Sequence, residues 1–256
     1  MSLFIGLFAW SDITKLQVPE GFEIQEFVTE IDDARQMVEG SNFIFVGTKS
    51  AGNVYAIDKN NANKVSVILT ELDMPTGVAL KNGDLYIAET DTIHVVKNIE
   101  EKLSSNKEIT TEIFFSDLPR KTMWNPVTKA WHGWKWIDFG PDGALYISEG
   151  VPCNVCDEDD PRYGTILKLE NNNLSIFADG VRNSVGFDWH PVTKKMYFSD
   201  NGRDWLGDDS PDCELNVIDT EGSFYGYPFK HAKSVIDPEF GHLIPSINKK
   251  FIDPIA

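Results

Sequence analysis

Basic residues are scarce: 23 Lys and Arg stand against 40 Asp and Glu, a net charge of −17. Such a chain repels a polyanion, which argues against nucleic acid as a partner. Long apolar runs are also missing. The stretch Met1 to Trp10 is apolar, but a membrane span takes about 20 such residues and no basic segment precedes it, so stable membrane insertion is not expected. Residues 1–16 read as an N-terminal tail or a secretory-signal remnant. Cysteine is rare, at three residues. Cys153-Asn-Val-Cys156 has no strand–helix–strand context, which argues against a thioredoxin-like role, and Cys213 alone is left to complete a zinc site that normally takes four ligands. Two readings remain: a local Cys153–Cys156 disulfide, which fits a periplasmic or secreted protein, and three reduced thiols in the cytosol. Capped helical periodicity is lacking except for a short turn around residues 99–103.

What is present is alternation on a repeat. Gly83-Asp-Leu-Tyr-Ile-Ala88 and Gly143-Ala-Leu-Tyr-Ile147 follow apolar strands led by Thr76 and His132. Similar units start at Arg35 and Arg182, so the steps are 41, 56 and 50 residues. Each of the first three units ends in a further strand, at residues 65–69, 111–115 and 174–177, and turn residues separate the strands at 81–83, 141–143 and 170–173. Several short strands repeated every 40 to 50 residues mark the blades of an all-β propeller. A β-sandwich would not repeat Gly-x-Leu-Tyr-Ile at that spacing. One incomplete propeller domain over residues 17–256 is expected, with residues 20–28 as an exposed outer strand.

In a propeller the first strand of each blade lines the central channel, so residues at its entrance converge. Here these are Arg35, Thr76, His132, Arg182 and Asn183. A histidine beside an arginine supplies a base and an oxyanion partner. The plainer readings are a histidine packed between Trp131 and Trp134, and an arginine paired with an aspartate such as Asp188. His94 and His190 read as structural. Acidic loops near Asp157 and Asp208 serve solubility or hold cations.

His132-Gly-x-x-x-x-x-Phe-Gly-Pro-Asp-Gly-x-Leu-Tyr-Ile, Gly180-Val-Arg-Asn-Ser-Val-Gly-Phe, and Asp200-Asn-Gly-Arg-Asp-Trp-Leu-Gly-Asp-Asp followed by Cys213-Glu-Leu-Asn216 resemble the soluble pyrroloquinoline quinone (PQQ) dependent sugar dehydrogenases. The resemblance runs over residues 20–232 and is nearest to the sorbosone-dehydrogenase-like branch, through Val151-Pro-Cys-Asn-Val-Cys-Asp157. It implies a six-bladed propeller of the quinoprotein glucose dehydrogenase type that oxidises an aldose or sorbosone-like sugar. His132 would be the general base. Arg182 and Asn183 would lie beside PQQ, with Arg35 and Thr76 at the same mouth. The carbonyls of Gly202 and Arg203 would hold Ca²⁺, and Glu214 with Asp212 would belong to a structural calcium loop. Partners would be the sugar and an external electron acceptor. Two features depart from the glucose enzymes: Trp131 replaces an acid, and Asp73-Met-Pro-Thr-Gly77 replaces a glutamine-bearing loop. Four blade motifs are recognisable and the basic residues of later blades have no counterpart, so a C-terminally truncated propeller with open, self-associating edges is expected. The alternatives are a metal-dependent lactonase using Asp200, Asn201 and Glu149, and a non-catalytic binding propeller.

Overall fold

Alternating apolar residues become strands wherever both faces of a blade are covered by its neighbours. The computed structural model describes residues 13–120 and 132–256, so the apolar start before Ile13, and Trp131, lie outside the described residues. The first blade has the order β1 (Ala34–Glu39), β2 (Phe43–Thr48), β3 (Val54–Asp58), β4 (Asn61–Leu69), and the second β5 (Gly77–Lys81), β6 (Asp84–Ala88), β7 (Ile93–Val96), β8 (Glu112–Phe115). The third runs β9 (Ile137–Phe139), β10 (Leu145–Glu149), β11 (Thr165–Glu170), β12 (Asn173–Asp179). The fourth contributes β13 (Phe187–Trp189), β14 (Met196–Asp200) and β15 (Glu214–Ile218). These are four antiparallel meanders, so the fold is an all-β propeller with four blades.

The register follows from turn chemistry. Asn82 and Gly83 both adopt positive φ between β5 and β6, as do Asn171 and Asn172 between β11 and β12. That is what a two-residue hairpin matching the strand twist requires. The one α-helix among the described residues, α1 (Ile99–Ser104), lies where the sequence suggests a short turn.

The apolar layers form between successive blades. Phe45, Val54 and Ala56 meet Val78, Leu85 and Ile87 between the first two blades. Ile93 and Val95 meet Ile137, Ile147 and Leu167 between the second and third. Tyr146 and Ile166 meet Phe187, Met196 and Phe198 between the third and fourth. Middle strands are therefore apolar on both faces; β10 is buried throughout.

Near the channel, side chains take over from backbone ladders. Gln36 on β1 donates from Nε2 to the Ile137 carbonyl at 2.7 Å, and its Oε1 accepts from the amides of Ile137 at 3.1 Å and Val78 at 3.2 Å. One amide side chain thus ties three inner strands. Lys135 and Glu149 form an ion pair at 2.7 Å with both side chains fully enclosed. Burial raises the Glu149 carboxyl to about 7, against the pull of Lys135.

After β15 the chain forms β16 (Ser223–Phe224), parallel to β12, and the hairpin β17 (Lys230–His231) with β18 (Val235–Ile236). It then returns beside β15, where the Leu215 amide donates to the Ala256 carbonyl at 2.8 Å. The alternation at residues 20–28 does not become a strand. Alternation needs a facing edge to pair with, and among the described residues this segment makes no ladder hydrogen bond, leaving Phe22 and Phe27 exposed. Among the described residues no helix is long and apolar enough to cross a membrane.

Replacing Gln36 with alanine leaves Val78 N, Ile137 N and Ile137 O without their partner, and each buried orphan costs about 1–3 kcal/mol. Urea denaturation of Gln36→Ala should show a loss of at least that size; a loss within error of zero would remove Gln36 from the inter-blade framework.

Candidate active site at the channel rim

His132 and Arg182 occupy equivalent places, each five residues ahead of an inner strand, β9 and β13. One peptide links them. The Val151 carbonyl takes a hydrogen bond from His132 Nδ1 at 2.9 Å, and the Val151 amide donates to the Arg182 carbonyl at 3.0 Å. A carbonyl can only accept, so Nδ1 carries the proton and the neutral ring has its lone pair on Nε2. The approach needs a glycine: a Cβ on Gly150 would lie 2.5 Å from His132 Cβ and 3.2 Å from Asn183 Oδ1. His132 itself sits at φ +50°, a left-handed conformation seldom held without surrounding constraint.

Charge around the imidazole is positive. Trp134 meets it edge-on at 5.9 Å, and Lys49, from the end of β2, places Nζ 3.6 Å from the Trp134 ring centre. Burial, then the Arg182 charge, lower the His132 pKa to about 4. His132 is therefore neutral at pH 7. Burial and neighbouring Arg35 also depress Lys49.

Arg182 is only 3% exposed, so its charge must be met from within. Nε donates to the Asn154 carbonyl at 2.8 Å, one terminal nitrogen to Asn154 Oδ1 at 2.9 Å and the other to the Asn201 carbonyl at 3.1 Å. The nearest carboxylate is Asp204 at 3.6 Å, not Asp188. The Asp200 carboxylate fixes the backbone below, accepting from the amides of Arg182 at 2.9 Å and Asn183 at 2.6 Å. Enclosure, then the Glu214 charge, push Asp200 up to about 7.

Arg35 and Thr76 line a cavity of about 420 Å³ with Gln36, Trp134, Lys135 and Asn201. Neither stands at the five-residue offset of His132 and Arg182. Arg35 is within β1 and Thr76 directly precedes β5, and the Thr76 hydroxyl is taken up by the Lys135 backbone, donating to O and accepting from N at 2.9 Å each. Arg35 and Thr76 thus share a cavity with Trp134, which meets His132, and with Asn201, whose carbonyl accepts from Arg182.

The loop after β14 carries Gly202 and Arg203. Their carbonyl oxygens are donors of the hard type that suits Ca²⁺. The Arg203 side chain turns away, to Asp237 at 2.6 Å and Glu239 at 3.0 Å. Asp237 also accepts from His231 Nε2 at 2.9 Å, and these donors with two backbone amides hold it down at about 2. Glu214 accepts from the Ala232 amide at 2.6 Å and from Asn216 Nδ2 at 2.9 Å, while Asp212 is exposed. Among the described residues no three His, Cys, Asp or Glu side chains cluster to hold a metal. Glu149 faces Lys135, and Asp200 accepts from two backbone amides. His94 pairs with Glu89 at 2.8 Å, and His190 Nδ1 accepts two turn amides, both structural uses. Cys153 and Cys156 are disulfide-bonded; Cys213 is free.

Three rim residues carry no sequence signal of their own. Lys49 follows a middle strand, Asp204 is one acid among many, and Asn154 is marked only by lying inside the Cys-x-x-Cys loop.

No family model matches this chain. An uncharacterized protein of Borreliella burgdorferi is 33% identical over 251 residues, covering 94% of the chain, and the chain spans 63% of that relative's length. Among solved structures, the PQQ-bound form of aldose sugar dehydrogenase from Streptomyces coelicolor superposes with a TM-score of 0.67 at 17% identity, over 91% of this chain and 70% of that one. A Trichoderma reesei carbohydrate-active enzyme of family AA12 gives 0.70 at 18% identity, over 92% and 70%. The PQQ domain of pyranose dehydrogenase from Coprinopsis cinerea gives 0.68 at 12%, over 87% and 60%. The fold thus resembles that of PQQ-dependent sugar dehydrogenases.

Because Asp200 is raised from 3.8 to about 7 on folding, the folded chain binds more protons than the unfolded chain between those values. Its contribution to stability is complete below pH 4 and is lost as pH rises through 7. Melting at pH 5.5 and 8 should therefore show a smaller pH dependence in Asp200→Asn than in the wild type; an identical dependence would place the titration elsewhere.

Proposed function

We propose that this protein is an oxidoreductase that removes hydride from a sugar carbon using PQQ and Ca²⁺, with His132 as general base. The observation that carries the reading is Val151, whose carbonyl holds the neutral imidazole and whose amide holds the Arg182 backbone, bringing the histidine and the buried arginine close together. The donor set fits the cofactors. Arg182 and Asn183 supply a cation and an amide for an anionic quinone, Arg35 and Thr76 wall the cavity, and the Gly202 and Arg203 carbonyls suit a hard cation. Glu214, with Asp212, is the second cation position on this reading. PQQ when bound supplies a two-electron acceptor for the hydride.

The chain's own residues do the rest. His132 keeps Nδ1–H on the Val151 carbonyl, so the ring cannot turn and Nε2 receives the hydroxyl proton. Arg182 fixes positive charge where negative charge develops, at no reorganisation cost because Asn154 and Asn201 already hold it. A base lowered to about 4 is weak. An anion against Arg182 offsets the repulsion that lowers it, so base strength rises as ligand arrives. The disulfide supports a periplasmic or secreted location.

Reconstitution with PQQ and Ca²⁺, followed by dye reduction with an aldose panel, tests this. His132→Ala should lower kcat by about 10²–10⁴-fold while PQQ still binds. The wild-type kcat/KM should rise with pH through an acid limb near 4, since His132 must be unprotonated, instead of near 6.5. Absence of PQQ binding by the intact protein would end the dehydrogenase reading.

A further inference from the structure

The residue that does most to orient Arg182 is not on a blade strand. Asn154 receives two of its hydrogen bonds, Nε on the carbonyl at 2.8 Å and a terminal nitrogen on Oδ1 at 2.9 Å, which together fix the plane of the guanidinium. The same side chain pins the next loop. Asn154 Oδ1 accepts from the Asp204 amide at 2.8 Å, and Nδ2 donates to the Asp204 carbonyl at 3.1 Å. Asp204 directly follows Gly202 and Arg203, so one buried amide sets both the arginine and the end of the carbonyl-bearing loop.

Asn154 is held by a covalent ring. It is one of two residues between Cys153 and Cys156, which are disulfide-bonded within an irregular segment that follows β10. Behind the ring, the Tyr227 hydroxyl accepts from the Cys156 amide at 2.8 Å and lies 3.6 Å from Cys153 Sγ. The ring is therefore clamped between Tyr227 on one side and Arg182 with Asp204 on the other. Both cysteines are half-buried, within reach of a small reductant.

We propose that the Cys153–Cys156 ring is a redox-sensitive clamp that positions Arg182 and the 202–204 loop through Asn154, so that reduction of the disulfide loosens the channel rim without unfolding the blades. A dithiol reductant gives up two electrons and two protons; the Cys153–Cys156 bond breaks to two thiols, and the reductant leaves as its own disulfide. With the ring open, the backbone around Asn154 regains the freedom that cross-linking removed, and its four hydrogen bonds must order it unaided. Asn154 is a positioning residue acting through Arg182. The effect on ligand affinity rests on the dehydrogenase reading; the clamp itself does not.

The test follows hydrogen exchange of the Arg182 Nε–H and the Asp204 amide by NMR in the full ¹⁵N-labelled chain, oxidised and after dithiothreitol, alongside PQQ titration in the presence of Ca²⁺. Reduction should speed exchange at both groups at least tenfold while the Ile147 and Leu167 amides on β10 and β11 keep their rates. Asn154→Ala, which removes the Oδ1 acceptor but leaves the carbonyl under Nε–H, should speed exchange of the Asp204 amide with the disulfide intact. Asn154→Asp, which keeps a side-chain oxygen acceptor, should restore the slow Asp204 amide. PQQ affinity should fall about tenfold wherever Arg182 loosens. Unchanged exchange at Arg182 and Asp204 in the reduced protein and in Asn154→Ala overturns the clamp. Release of β10 and β11 on reduction also overturns it, because the loosening would not be confined to the rim. Faster exchange with no PQQ binding in any form upholds the clamp and removes the dehydrogenase reading.

Discussion

A guanidinium with almost no access to water is the constraint around which the rim is built. An unmet charge there would cost several kcal/mol, so Arg182 is surrounded by fixed acceptors drawn from two separate segments: the Asn154 loop, and the loop after β14 with its Asn201 carbonyl and, at slightly longer range, Asp204. Each acceptor is itself secured. Asp200 holds the arginine's own amide, Val151 takes its carbonyl, and the cysteine ring holds Asn154. The geometry of His132 follows, since it hangs from the same Val151 peptide.

Much of this was legible in the sequence and some of it was not, for reasons that can be named. The blades announce themselves because their middle strands are sandwiched between neighbours, so Gly-x-Leu-Tyr-Ile reads the same wherever that environment recurs, and positive-φ hairpin residues such as Asn82-Gly83 mark the ends. Alternation alone is weaker evidence: residues 20–28 alternate, yet no edge pairs with them. At the rim, His132 and Arg182 stood out because a base and a cation sit at matching offsets from β9 and β13. Arg35 and Thr76 were grouped with them by their place in the repeat, whereas the strand starts put Arg35 within β1 and Thr76 directly before β5. Asn154 could not be found from local pattern, since its partners lie 28 and 50 positions away and buried amide caps leave no periodic trace. Gln36 is hidden for the same reason, its bonds reaching 42 and 101 positions along the chain.

Charge is distributed with the same economy. Against a net −17, Lys49 and Arg182 come close to His132, with Arg35 beside Lys49. Burial pushes both Asp237 and Asp200 up: His231, Arg203 and two amides overcome it at Asp237, which stays a strong acid, while at Asp200 burial and the like-charged Glu214 outweigh two amides and the Arg182 charge.

The leader segments that precede β9 and β13 have a wider meaning. They carry the histidine and the arginine and join the ladders at their inner ends, where the Trp136 and Gly186 carbonyls accept from Ser148 and Ser199, while the interleaved apolar layers and Gln36 hold the blades together. Natural variation can therefore rewrite a handful of leader positions, trading one chemistry for another, while the wheel beneath them goes on assembling unaltered.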